Sequence, residues 1–154
     1  MTDDSKARIQ SLRGKALKLL ARREHTRVEL ARKLAAAGGD PAEIEGVLDD
    51  CERRGWLSEQ RVVEQMIHAR RSRYGVRRIE RDLVAKGVSG EAVTAALADL
   101  KGGELEAARE VWRRKFGGKT PRNAADRAKQ ARFLQGRGFN MDVIMKVLNA
   151  KDEG

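Results

Sequence analysis

One stretch written three times constrains this chain more than anything else in it. Leu30-Ala31-Arg32-Lys33-Leu34-Ala35-Ala36-Ala37-Gly38, Ile79-Glu80-Arg81-Asp82-Leu83-Val84-Ala85-Lys86-Gly87 and Gln130-Ala131-Arg132-Phe133-Leu134-Gln135-Gly136-Arg137-Gly138 are versions of one amphipathic segment that ends in glycine. Each leads to a polar residue and a second apolar run: Asp40 then Ile44 and Leu48, Ser89 then Val93 and Leu97, Asn140 then Ile144 and Leu148. Leu34 and Leu83, like Gly38 and Gly87, stand 49 positions apart; from Leu83 to Leu134 and from Gly87 to Gly138 the step is 51. A constant period of this length marks a supersecondary unit that buries its apolar face against its neighbours.

The apolar positions recur at i, i+3, i+4 and i+7, the period of a helix, and no stretch alternates as a strand would. Ser5 is expected to cap a first helix running to about Glu24, after a frayed start at residues 1–4, with Ile9, Leu12, Ala16, Leu17 and Leu20 inward. Thr26 and Glu29 form a capping box. Asp40-Pro41 opens the third helix with proline where its missing N–H costs nothing. A fourth helix is expected over 59–73, a fifth from Val76 and a sixth after Ser89. The last three start near Glu104, at Thr120-Pro121 (carrying Ala124 and Ala128 inward) and after an Asn140 cap, with a disordered tail from Lys151. The fold class is therefore all-α: three tandem three-helix repeats, over residues 1–57, 58–102 and 103–154, in an elongated array that can curve. A module of about 50 residues buries too little surface to stand well alone.

Thirty-three Lys and Arg against 23 Asp and Glu leave a net charge of +10, which draws a small protein to polyanions, nucleic acid first. The single cysteine, Cys51, excludes an internal disulfide and a multi-thiolate metal site. It falls on an apolar stripe, which makes it a buried, inert thiol. His25 and His68 stand in no metalloprotease or triad-like setting and are expected at the surface or its boundary. No glycine-rich nucleotide loop occurs. Carboxylates sit among basic residues as helix-surface pairs. No cofactor and no catalysis are expected.

The basic clusters carry more information. Arg22-Arg23, Arg70-Arg71 with Arg73, and Arg113-Arg114-Lys115 all fall late in the first helix of a repeat, and Arg77-Arg78 opens the middle helix of the second. Other basic groups, Arg32-Lys33 and Arg127/Lys129/Arg132, stud the middle helices of the first and third. Any one pair reads as a solvated face. Recurrence at one place in the repeat points to a surface for phosphates. Arg70, Arg71, Arg73, Arg77 and Arg78 are the first candidates, then Arg113, Arg114, Lys115, Arg22 and Arg23. Tyr74, beside arginines and Gly75, is kept as a surface contact, whereas the remaining aromatics read as core or inter-repeat packing.

Arg23-Glu24-His25-Thr26-Arg27-Val28-Glu29-Leu30, Gly55-Trp56-Leu57-Ser58-Glu59, Arg73-Tyr74-Gly75-Val76-Arg77-Arg78-Ile79, Lys115-Phe116-Gly117 and Arg132-Phe133-Leu134 with Arg137-Gly138-Phe139 form an ordered set of segments. Together they resemble the RecX family of regulatory proteins. The likeness covers roughly residues 15–149. His25-Thr26 and Trp56-Leu57-Ser58-Glu59 depart from the family's usual residues at those places. The resemblance implies a cytoplasmic, non-enzymatic modulator, mainly an inhibitor, of the RecA recombinase. It would bind the RecA–DNA filament and suppress ATPase and strand exchange in recombination and repair, with direct contacts to single- and double-stranded DNA. A monomer without membrane attachment is expected. The alternative is a helix-turn-helix transcription regulator, since three-helix units with basic helices also read DNA.

Overall fold

The computed structural model describes residues 2–149, and these form helices joined by short turns, with no strand among the described residues. In order they are α1 Asp3–Arg22, α2 Arg27–Ala36, α3 Pro41–Arg53, α4 Glu59–Arg70, α5 Val76–Ala85, α6 Gly90–Lys101, α7 Glu104–Phe116, α8 Ala124–Gly136 and α9 Met141–Asn149. This is the all-α helical repeat expected from the period. The tail expected from Lys151 lies outside the described residues.

Capping chemistry sets most boundaries. The Thr26 hydroxyl accepts from Glu29 N–H at 3.1 Å while the Glu29 carboxylate accepts from Thr26 N–H at 3.1 Å, closing the capping box. One Asp40 carboxylate oxygen accepts from Ala42 and Glu43 N–H, with Pro41 as the first helical residue. Gly38, Gly87 and Gly138, the shared exit of the repeated segment, hold φ of 92°, 84° and 89°, a conformation that costs side-chain-bearing residues strain.

Three boundaries and one cap differ from expectation. Thr2, not Ser5, caps α1, so Asp3 and Asp4 are helical and their charges favour its N-terminus. Helix α8 starts at Ala124 because the Asn123 side chain accepts from Asp126 N–H at 2.9 Å; Thr120-Pro121 stays outside, and Ala124 and Ala128 are exposed. Helix α4 stops at Arg70, which moves Arg71 and Arg73 into the following turn. Helix α9 starts directly after Asn140 as expected, but the Asn140 side-chain oxygen accepts from Arg77 Nε and its amide N–H donates to Glu104, so the side chain is spent away from the cap.

The described chain forms two compact units. The first holds the residues up to Glu64 with Ala85–Ser89, and the second holds Gln65–Val84 with the residues from Gly90 onward. In the first, Leu12 and Ala16 of α1, Leu30 and Leu34 of α2, and Ile44, Val47, Leu48 and Cys51 of α3 form one core with Leu57. Leu17 remains exposed. In the second, Ala108, Val111 and Trp112 of α7 pack with Leu134 of α8, Phe139, and Ile144, Val147 and Leu148 of α9. Buried Trp112 donates its indole N–H to Gln130 at 2.8 Å, so neither polar atom is stranded.

A repeated junction explains why Ala85–Ser89 belongs with the first unit. The Thr26 hydroxyl donates to the Lys86 carbonyl at 2.5 Å, and Gly87 lies so close to Val28 that a Cβ on the glycine would stand 2.7 Å from the valine Cβ. The same register recurs in the second unit, between Gly75, 49 positions after Thr26, and Arg137, 51 after Lys86. Gly75 N–H donates to the Arg137 carbonyl at 2.8 Å and Arg77 N–H to the Gly138 carbonyl at 3.1 Å. Between them, Val76 N–H donates to the buried Glu104 carboxylate at 2.7 Å. Gly75 has no side chain to cap α5 as Thr26 caps α2, so the third repeat satisfies the free N–H groups at its start.

Candidate nucleic-acid interface

The candidate cations separate by what holds them. Arg70 is committed to the fold: its Nε donates to Asp82 at 3.0 Å, and Arg78 reaches the same carboxylate at 3.4 Å. Arg77 donates to the Asn140 side-chain oxygen at 2.6 Å. Arg113 and Arg114 share Glu110, at 3.8 and 3.5 Å, with all three side chains about half exposed. Surface pairs of this kind add little stability and leave their charge available. Arg71, Arg73 and Lys115 are exposed and have no carboxylate within ion-pair distance among the described residues. Arg22 and Arg23 belong to the first unit; Arg22 is exposed at the end of α1, and Arg23 pairs with Glu29 at 3.2 Å.

In the second unit Arg73, Arg114 and Lys115 come together with two residues outside the candidate set, Phe133 and Arg137. With Val111 they line an open concavity of about 210 Å³. Arg137 is its pivot. Its guanidinium lies over the Tyr74 ring at 5.3 Å and over the Phe133 ring at 5.3 Å, and it donates to the Arg73 carbonyl at 3.5 Å. Arg78 also lies over the Tyr74 ring, 4.7 Å from its centroid, and the Lys115 ammonium is 5.3 Å from that of Phe133. Phe116 meets Phe133 edge-on at 5.5 Å, which ties the ladder to the core of the unit. Cations and rings thus alternate: Lys115, Phe133, Arg137, Tyr74, Arg78. Each such contact contributes roughly 0.5–1 kcal/mol at exposed sites. Tyr74, kept from the sequence as a surface contact, is half-buried and carries Arg78 and Arg137 over its ring. Phe133, expected as packing, does both. The sequence signal for Arg137 is its place one residue before the repeated glycine, where Lys86 stands in the second copy, four residues after Phe133.

Of the histidines and the cysteine, His25 and Cys51 are buried, while His68 is exposed on α4. His25 is 1% exposed rather than at a boundary. Its Nδ1 faces the Arg23 carbonyl at 3.0 Å and its Nε2 faces Lys33 Nζ at 2.9 Å, an arrangement that suits neutral imidazole donating from one nitrogen and accepting at the other. Burial, with the nearby Arg23 and Lys33 charges, lowers its pKa below 6.5. Cys51 is fully buried, and burial pushes its thiol upward, away from the thiolate a nucleophile needs. Among the described residues no group of three or more His, Cys, Asp and Glu is arranged to hold a metal, and no helix is long and apolar enough to cross a membrane.

Family models for the first, second and third three-helix domains of RecX match residues 13–51, 58–97 and 103–148. The chain is 54% identical over 142 residues to the regulatory protein RecX of Leptothrix cholodnii, covering 92% of this chain and 90% of that one. It is 44% identical over 144 residues to RecX of Pseudomonas fluorescens, covering 93% of each. The crystal structure of RecX from Lactobacillus salivarius has the same fold, with a TM-score of 0.79, at 18% identity, over 93% of this chain and 96% of that one. With three domain models in order and relatives matched nearly end to end, this chain belongs to the RecX family of regulatory proteins.

Proposed function

We propose that this protein modulates the RecA recombinase, chiefly as an inhibitor. It would associate with the RecA–DNA filament and lower its ATPase and strand-exchange activity in recombination and repair. RecA modulation is the usual role of the family, and one observation in this chain carries the reading furthest. In the second unit, Arg73, Arg114, Lys115 and Arg137 converge on one concavity, where, among the described residues, Glu110 is the one carboxylate that pairs with any of them. Such a surface suits the phosphates of single- and double-stranded DNA. The three repeats, 1–57, 58–102 and 103–154, would act as binding modules of a cytoplasmic monomer, by attachment and not by turnover.

The test is RecA ATPase on single-stranded DNA with the wild-type protein and with an Arg73→Glu/Arg114→Glu/Lys115→Glu variant. Wild-type protein is expected to suppress the ATPase and the variant to lose most of that suppression while keeping its helical circular dichroism. Full suppression by a folded variant would refute the assignment of this surface. The transcription-regulator alternative gains no support from α5, whose N-terminal residues are spent on the junction with Arg137, Gly138 and Glu104.

A further inference from the structure

We propose that the concavity around Arg137 is a phosphodiester site whose rings hold the cations in place and do not stack on bases. This rests on the DNA binding proposed above and names its chemistry. An aromatic residue beside arginines ordinarily suggests a stacking platform for a nucleobase, which requires an open ring face. Each ring here already carries two cations. Arg78 and Arg137 lie 4.7 and 5.3 Å from the Tyr74 centroid, and Lys115 and Arg137 both lie 5.3 Å from that of Phe133. A base stacked there would compete with these cations, among them Arg137 and Lys115, which phosphate binding needs.

The same contacts explain what the rings accomplish. A long cationic side chain loses rotamer freedom when it grips a phosphate, and that loss weakens binding. Stacking Arg137 between Tyr74 and Phe133 orders it beforehand. Its donation to the Arg73 carbonyl uses one guanidinium nitrogen at 3.5 Å, and the rest of the planar fork stays available for a phosphate. Lys115, steadied on Phe133, supplies a second fixed charge at the same rim. Such a site recognises the charge and shape of a phosphodiester and carries no base information, so it takes single and double strands alike.

The experiment measures binding of the full chain by fluorescence anisotropy to three probes of equal length: a thymidine single strand, a duplex, and an abasic deoxyribose-phosphate strand. Tyr74→Leu keeps apolar bulk but removes the π face. It is expected to weaken all three probes by a similar factor, about 3- to 10-fold, with the salt slope unchanged. Arg137→Ala is expected to weaken all three and reduce the salt slope by about 1, the signature of one lost phosphate contact. Arg137→Lys keeps the charge but loses the fork and most of the stacking, and should fall between. Tyr74→Phe should behave as wild type, which separates ring support from unfolding. A loss under Tyr74→Leu confined to the thymidine strand, with abasic binding spared, would show base stacking and overturn the inference while leaving DNA binding intact. Suppression of RecA that depends on Arg137 in a protein with no affinity for any probe would assign the fork to a carboxylate of the recombinase, which also overturns it. A wild-type protein that neither binds the probes nor alters RecA ATPase would remove the functional reading itself.

Discussion

His25 shows how far a single residue's role can depart from its appearance in the chain. It is buried between the Arg23 carbonyl and the Lys33 ammonium, and its folded pKa lies below 6.5. The unfolded chain therefore binds more protons than the folded one as pH drops below about 6.5, and stability falls with it. Urea denaturation should show the wild type less stable at about pH 5.5 than at pH 7.5, by up to roughly 1 kcal/mol. His25→Gln should flatten that window, whatever its overall cost. Glu29 titrates in a separate window. Its burial would raise its pKa, but Thr26 N–H, Arg23 and Lys86 outweigh that and hold it below 4.5, so its contribution is lost only in stronger acid. A wild type equally stable at both pH values would contradict the buried neutral imidazole.

At the level of elements, the start of α5 is the place where one repeat completes another. Its N–H groups are satisfied by Arg137, Glu104 and Gly138, and a Cβ at Gly75 would collide with the Gly138 carbonyl. Gly75→Ala should therefore open this junction even though its backbone is not in the left-handed region. Circular dichroism should still report helix while the urea midpoint falls, and an unchanged midpoint would refute the close approach. Glu104→Ala leaves the Val76 N–H and the Asn140 amide without a buried acceptor. A loss of about 2–3 kcal/mol is expected from calorimetry or denaturation, against less than ~1 for the exposed Glu106→Ala. Helix ends, by contrast, followed their own local chemistry. Thr26 with Glu29 and Asp40 with Pro41 set the boundaries their spacing predicts. Asn123 prevailed over Thr120-Pro121 because its side chain reached Asp126 N–H.

Over the whole molecule, charge is distributed unevenly along the repeats. Residues 1–57 carry 12 Lys and Arg against 10 Asp and Glu, whereas residues 103–154 carry 12 against 7. The acid-rich face of α3 accounts for much of that difference, because Arg27 alone meets Glu45, Asp49 and Glu52. DNA affinity is therefore expected to reside in the later repeats. If about 6 phosphates are neutralised, affinity should fall by roughly 10³ between 50 and 200 mM salt. Neutralising Arg22 and Arg23 should change that slope less than neutralising Arg73 and Lys115, as salt titrations of the two double variants would show. Equal effects would disprove the asymmetry.

The chain alone determined the helices, their threefold repetition, the glycine exits and the family. Periodicity and capping act within a few residues, and the order of short segments survives in the sequence. Tertiary structure decided which charges are available. Arg70 looked equivalent to Arg73 until Asp82 claimed it, and nothing but its place before the repeated glycine marked Arg137 until the fold laid it on Tyr74. Burial, ion pairing and ring contacts join residues far apart in the chain, and which groups meet there depends on how the helices pack.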